Sequence, residues 1–184
     1  MLRIVFSAIL LVIANVACGQ NNDAQKCAYA TKVKYHLPAV DNATYLSEVK
    51  GIDRYGENTI TYSIQFTDGD QATLEQKYCE MYNFEVTYKI KKLNRQNFKH
   101  SLDNIEKLIR SVQQDYKLKH ALRDIVEMTM NERNLSINSA FKYGLPLQAV
   151  NSSEYVEHSI SFTPHKDKEA FDAEVIFYFG LGGE

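Results

Sequence analysis

The sequence predicts an α+β fold, an antiparallel sheet of five or six strands with two helices packed on one face. Three observations carry this. Apolar and polar residues alternate through 59–90, the apolar spacing turns helical through 102–129, and alternation returns over 156–179. No internal repeat or flexible linker sets off a second domain, so residues 20–184 read as one globular unit behind a targeting segment, 1–19.

Taken in order, 26–35 is the first strand candidate, with Cys27, Tyr29, Thr31, Val33 and Tyr35 on one face. From His36 to Gly56 no period is sustained and Pro38 interrupts, so this stretch reads as a connection with a short helical turn around Thr44–Val49. Ile60, Tyr62, Ile64 and Phe66 then alternate with Thr, Ser and Gln before Asp68-Gly69, a pair that tolerates positive φ in a hairpin turn. The return strand sets Ala72, Leu74 and Tyr78 on one face, with Gln76 as an awkward polar member. Tyr82, Phe84, Val86, Tyr88 and Ile90 complete a three-stranded meander with one buried and one polar face.

Leu102, Ile105, Leu108, Ile109, Val112 and Tyr116 form a stripe at helical spacing that starts near Ser101. A second stripe, Leu118, Leu122, Ile125, Val126 and Thr129, is offset from the first, which places a junction near 115–119. Residues 134–153 read as a polar connection that Leu145, Leu147 and Val150 pin to the core. Val156, His158, Ile160 and Phe162 line the next strand, and Phe171, Ala173, Val175, Phe177 and Phe179 line the last. A solvated turn at 164–169 separates them.

Arg3 followed by the apolar run 4–17 is a signal-peptide pattern, too short for a retained membrane span. Cleavage after Gly19 satisfies the small-x-small rule through Ala17 and Gly19, and discards Cys18. The alternative is a lipid anchor on Cys18, which Ala17 favours and Asn15 disfavours. The chain is accordingly expected to be periplasmic or secreted, or else a membrane-anchored lipoprotein. In an oxidising compartment Cys27 and Cys79 are expected to form a disulfide, worth roughly 2 to 4 kcal/mol for a loop of this size.

Hydrophobic residues make up 45% of the chain and charged residues 24%, which excludes a disordered polyelectrolyte. A net charge of -2 with both signs interspersed argues against a nucleic-acid footprint. Twelve Tyr and nine Phe suit a strand-rich core and a protein-binding surface.

No catalytic motif is found. His36, His100, His120, His158 and His165 form neither HxH nor HExxH, so no metal site is expected, and no cofactor is implied. Asp68-Gly69-Asp70 is a hairpin turn, and Gly180, Gly182 and Gly183 precede no helix that would make a phosphate cradle. Ser152-Ser153 lacks a nucleophile elbow. Glu75 and Glu85 lie on polar strand faces, where carboxylates ordinarily meet water. Three N-x-S/T sequons, at Asn42, Asn134 and Asn151, are no more than an Asn-rich chain produces by chance.

The expected function is therefore noncatalytic binding of a protein partner, as an inhibitor or immunity protein acting against an envelope-targeting enzyme. The polar sheet face with Tyr143, Tyr155 and Tyr178 is the recognition surface, because tyrosine joins a large contact area to a polar tip. The alternatives are a small envelope hydrolase using Glu80, Asp167 or His165, and a small-ligand carrier whose helices arch over an internal cavity.

Overall fold

The computed structural model describes residues 40–54, 56–78, 82–112, 122–132, 134, 136–153, 156–165 and 170–181. The strand candidate 26–35, the junction 115–119, and Cys18, Cys27, Cys79, Glu80, Tyr155 and Asp167 lie outside the described residues.

The architecture is the expected α+β one. Strands β1 (Ala43–Ile52), β2 (Asn58–Phe66), β3 (Gln71–Tyr78) and β4 (Tyr82–Ile90) precede helices α1 (Arg95–Val112), α2 (Leu122–Glu132) and α3 (Ile137–Tyr143). Strands β5 (Leu145–Ser153), β6 (Val156–Pro164) and β7 (Ala173–Leu181) follow. The strands form one seven-stranded sheet, antiparallel throughout, in the order β1-β2-β3-β4-β7-β6-β5. The helical segment thus carries the chain from the middle of the sheet to its far edge, and the second meander returns to pair β7 with β4.

The alternation read from the sequence sets the core. Ile60, Tyr62, Ile64, Phe66, Ala72, Leu74, Phe84, Val86, Tyr88 and Ile90 are buried, as are Val175, Phe177 and Phe179. Phe84 stacks on Phe179 at 4.8 Å between ring centroids, so the two meanders join through aromatic contact at β4–β7. Each such side chain contributes roughly 1.5 to 3 kcal/mol of burial. The helical stripes face this layer: Leu102, Ile105, Leu108 and Ile109 from α1, with Leu122, Val126 and Met130 from α2, are buried.

At the β2–β3 turn Gly69 has φ of 93°, and the Asp68 carboxylate accepts from the Asp70 amide at 3.0 Å. Asp70 itself is buried and joins three elements. It accepts from the Lys91 amide at 2.7 Å, its other oxygen lies 3.2 Å from Ser101 Oγ, and burial raises its carboxyl above the ordinary value despite the Lys91 bond. Glu106 fastens the helices in the same manner: one carboxylate oxygen accepts from Arg110, the other from the Leu122 amide at the start of α2.

The structure corrects several boundaries. Helix α1 begins at Arg95 rather than near Ser101, because Asn94 Oδ1 caps the Asn97 amide at 2.9 Å and Phe98 extends the apolar stripe. Ser101 is an interior helix residue whose hydroxyl donates back to Asn97. Thr44–Val49 is part of β1 and not a helical turn. This edge strand is exposed along most of its length, so the one-sided alternation that reveals a strand is missing.

Residues 134–153 are more than a connection, since they hold α3 and β5. Ser136 caps α3 by accepting from the Ser139 amide, and Gly144 closes it with φ of 80°. A Cβ at Gly144 would stand 2.6 Å from the Phe162 carbonyl oxygen, so both conformation and close approach demand glycine. Leu145 is buried as expected. Phe171 precedes β7 instead of starting it, with the Lys91 ammonium 5.3 Å from its ring.

Candidate functional site

The sheet has two unlike faces. Opposite the core face, successive strands present Thr59, Thr61, Ser63 and Gln65, then Gln71, Thr73, Glu75 and Lys77, then Asn83, Glu85, Thr87 and Lys89, then Glu174, Ile176 and Tyr178. These residues are half-buried by their strand neighbours, and Glu85 is exposed.

At one end this face is hollowed. A depression of about 180 Å³ is lined by Asp53, Glu57, Glu75, Lys77, Glu85 and Tyr178, together with Asn83. Its geometry follows from register. Glu75 stands directly opposite Glu85, and Glu85 opposite Tyr178, so two like charges adjoin a phenol in one row across β3, β4 and β7. Lys77 relieves the repulsion: its ammonium lies 3.0 Å from Glu75 and 3.9 Å from Asp53. The hydrogen bond to Glu75 holds this lysine above its ordinary pKa against the opposing effect of burial. Asp53 is fixed by the β1–β2 turn, where its carboxylate accepts from the Glu57 amide at 3.0 Å.

The Tyr178 hydroxyl donates to Asn83 Oδ1 at 3.2 Å. Gly180 lies beneath this pair, and a Cβ there would come within 3.0 Å of the phenol oxygen and 3.1 Å of Asn83 Oδ1. The bare glycine therefore makes room for the tyrosine to lie along the strand. Four carboxylates against one ammonium make the hollow acidic, and the phenol gives it an aromatic wall. Opposite Tyr178 on β6, Ser159 is buried with its hydroxyl unpartnered.

The tyrosines singled out in the sequence do not converge. Tyr178 lies on the open face as its alternation requires, whereas Tyr143 ends α3 in the helix layer, 70% exposed, with Lys142 5.0 Å from its ring. Phe141 just before it packs on Phe98 and Phe162 of the core side. The hollow also contains residues that sequence reading did not assign to a site, Asp53, Glu57, Lys77 and Asn83. The polar face of the meander signalled Lys77 and Asn83, whereas no pattern signalled the turn residues Asp53 and Glu57.

Other depressions differ in character. A groove of about 360 Å³ between the helices has an apolar floor including Phe98, Leu102 and Met130 beneath Arg95, Lys99 and Arg123. Below it the space narrows to about 10 Å³ among Leu145, Ile160, Phe162 and Val175, no more than one water molecule needs. His165 Nδ1 lies 3.1 Å from the Phe171 carbonyl oxygen, which ties the imidazole to the β6–β7 turn. Among the described residues no cluster of three or more His, Cys, Asp or Glu is placed to hold a metal ion, and no helix is long and apolar enough to cross a membrane. No protein-family model matches the chain, and no curated protein or solved structure is significantly similar to it.

Proposed function

We propose that this chain is a noncatalytic binding protein of the periplasm or extracellular space, and that it engages a protein partner through the open sheet face around Tyr178. The observation that carries the reading is the acidic, tyrosine-walled hollow on a face that is otherwise hydroxyl- and amide-rich. A tyrosine already oriented by Asn83 loses little side-chain freedom on binding, and four surrounding carboxylates select a basic surface on the partner. An inhibitor or immunity protein that blocks a basic, envelope-targeting enzyme is the form of this function that suits a small exported domain.

Export rests on the segment 1–19, with a lipid anchor at Cys18 as the alternative processing route. The pairing of Cys27 with Cys79 belongs to the same proposal; free thiols at both positions in exported protein would remove it.

The test is capture of the partner from the native envelope, followed by titration of the purified pair. Tyr178→Ala should weaken binding by about 2 kcal/mol, roughly thirtyfold, with an unchanged melting temperature. Turnover of an envelope substrate by the purified chain, abolished by Glu75→Gln or Glu85→Gln, would instead establish the hydrolase.

A further inference from the structure

We infer that the outer edge of β1, which no described strand covers, pairs with β1 of a second copy of this chain, forming an antiparallel two-fold dimer with its axis at Val49. The first ground is where apolar surface is left over. Large hydrophobic residues are prominently exposed at five described positions, and three of them, Leu46 at 59%, Val49 at 60% and Ile52 at 71%, belong to this one strand. β1 is also the terminal strand of the sheet, hydrogen-bonded to β2 on its inner side and to no described strand on its outer side. An edge of this kind, long and apolar, is a template for a further strand.

The second ground is charge complementarity, and it selects both the occupant and the register. Glu48 and Lys50 share one face of β1, opposite Tyr62 and Ile60 of β2, while Val49 lies on the other face. Two copies related by an axis through Val49 set Glu48 of each opposite Lys50 of the other, and Leu46 opposite Ile52. Moving the axis to Glu48 or to Lys50 sets like charges opposite each other, which is unfavourable. The strand is thus self-complementary in one register, as an isologous interface requires.

Within one chain Lys50 already lies 3.1 Å from Glu48, but both groups are exposed, and such a pair is exchanged at little cost. A β-bulge at Leu46 and an edge lysine are devices that usually discourage pairing. Here the lysine has its acidic complement two residues away, and the apolar residues flank the pair on both sides. The axis runs perpendicular to the sheet, so the helix layers of both copies stay on one side and the two open faces become continuous.

Sedimentation equilibrium of the exported chain should show a dimer at micromolar concentration. Glu48→Lys and Lys50→Glu should each raise the dissociation constant about tenfold or more, because each reversal creates two like-charge pairs across the axis. The double reversal should restore it to within about threefold, at unchanged melting temperature. Val49→Cys supplies an independent arm: mild oxidation should join the two copies through residue 49, identified by peptide mapping. A monomer at all concentrations up to about 100 μM, a dimer indifferent to either reversal, or a dimer without the 49–49 cross-link would each overturn the inference.

Discussion

The two faces of the sheet share the same strands and register but follow opposite rules. On the helix side nearly every inward position of β2, β3, β4 and β7 is aromatic or aliphatic, and these side chains are buried. On the open side the same strands offer hydroxyls, amides and charges, and the one large aromatic, Tyr178, is bonded to Asn83. Substitution on the covered face should be felt as stability, and on the open face, under the proposed function, as recognition. Each face also carries an exception, and the exceptions are the more instructive. On the core side it is Gln76, fully buried with neither amide atom partnered, and on the open side it is the cluster of carboxylates around Lys77.

The comparison is broken most severely at Phe84. It is 1% exposed and stacked on Phe179, whereas its neighbour Glu85 faces water. Phe84→Ala should cost about 3 to 5 kcal/mol and Glu85→Ala no more than about 0.5 kcal/mol in a denaturant titration. Equal small losses would mean that the register is wrong.

Gln76 sharpens the same contrast because it sits directly opposite Phe84 across β3 and β4. A buried amide without partners is penalised by about 1 to 3 kcal/mol, so Gln76→Leu should be neutral or stabilising, against the usual trend for core substitutions. A loss above about 1 kcal/mol in the same titration would show that the amide has a partner.

A gentler effect is expected at Asp70, where polar chemistry enters the core from the hairpin turn. Its folded-state pKa is raised above 3.8, chiefly by burial. The sign follows: the neutral carboxyl is favoured in the folded state, so this contribution is complete below the unfolded value and is lost as pH rises through the folded one. Relative to Asp70→Asn, the native chain should be most favoured near pH 3 and lose that advantage toward neutrality, as thermal melts across pH would show. An advantage that grows with pH would contradict the burial of this carboxyl.

Legibility in the sequence follows the same division. Strands β2, β3, β4 and β7 could be read because one face is dry and the other wet, which writes a period of two into Ile60–Phe66 and Ala173–Phe179. β1 could not, since Glu48, Val49 and Lys50 are all exposed and no period survives. Helix α3 spans seven residues, and its local marks, Ser136 and Gly144, are shared by many loops. The outward facing of Tyr178 followed from alternation alone. The hollow beside it did not, because it depends on a turn residue, Asp53, meeting strand residues far along the chain, and on the missing side chain of Gly180.

The central proposal is that recognition belongs to the open face, and the separation of two tyrosines, Tyr143 and Tyr178, provides its most direct test. Tyr143 ends a helix on the covered side and Tyr178 lies on the open side. Calorimetric titration of the captured partner with Tyr178→Ala and Tyr143→Ala should show an affinity loss of about thirtyfold for the first and less than about threefold for the second, at equal melting temperatures. The reverse ranking, with Tyr143→Ala abolishing binding and Tyr178→Ala leaving it intact, would move the recognition surface to the helix layer and contradict the account.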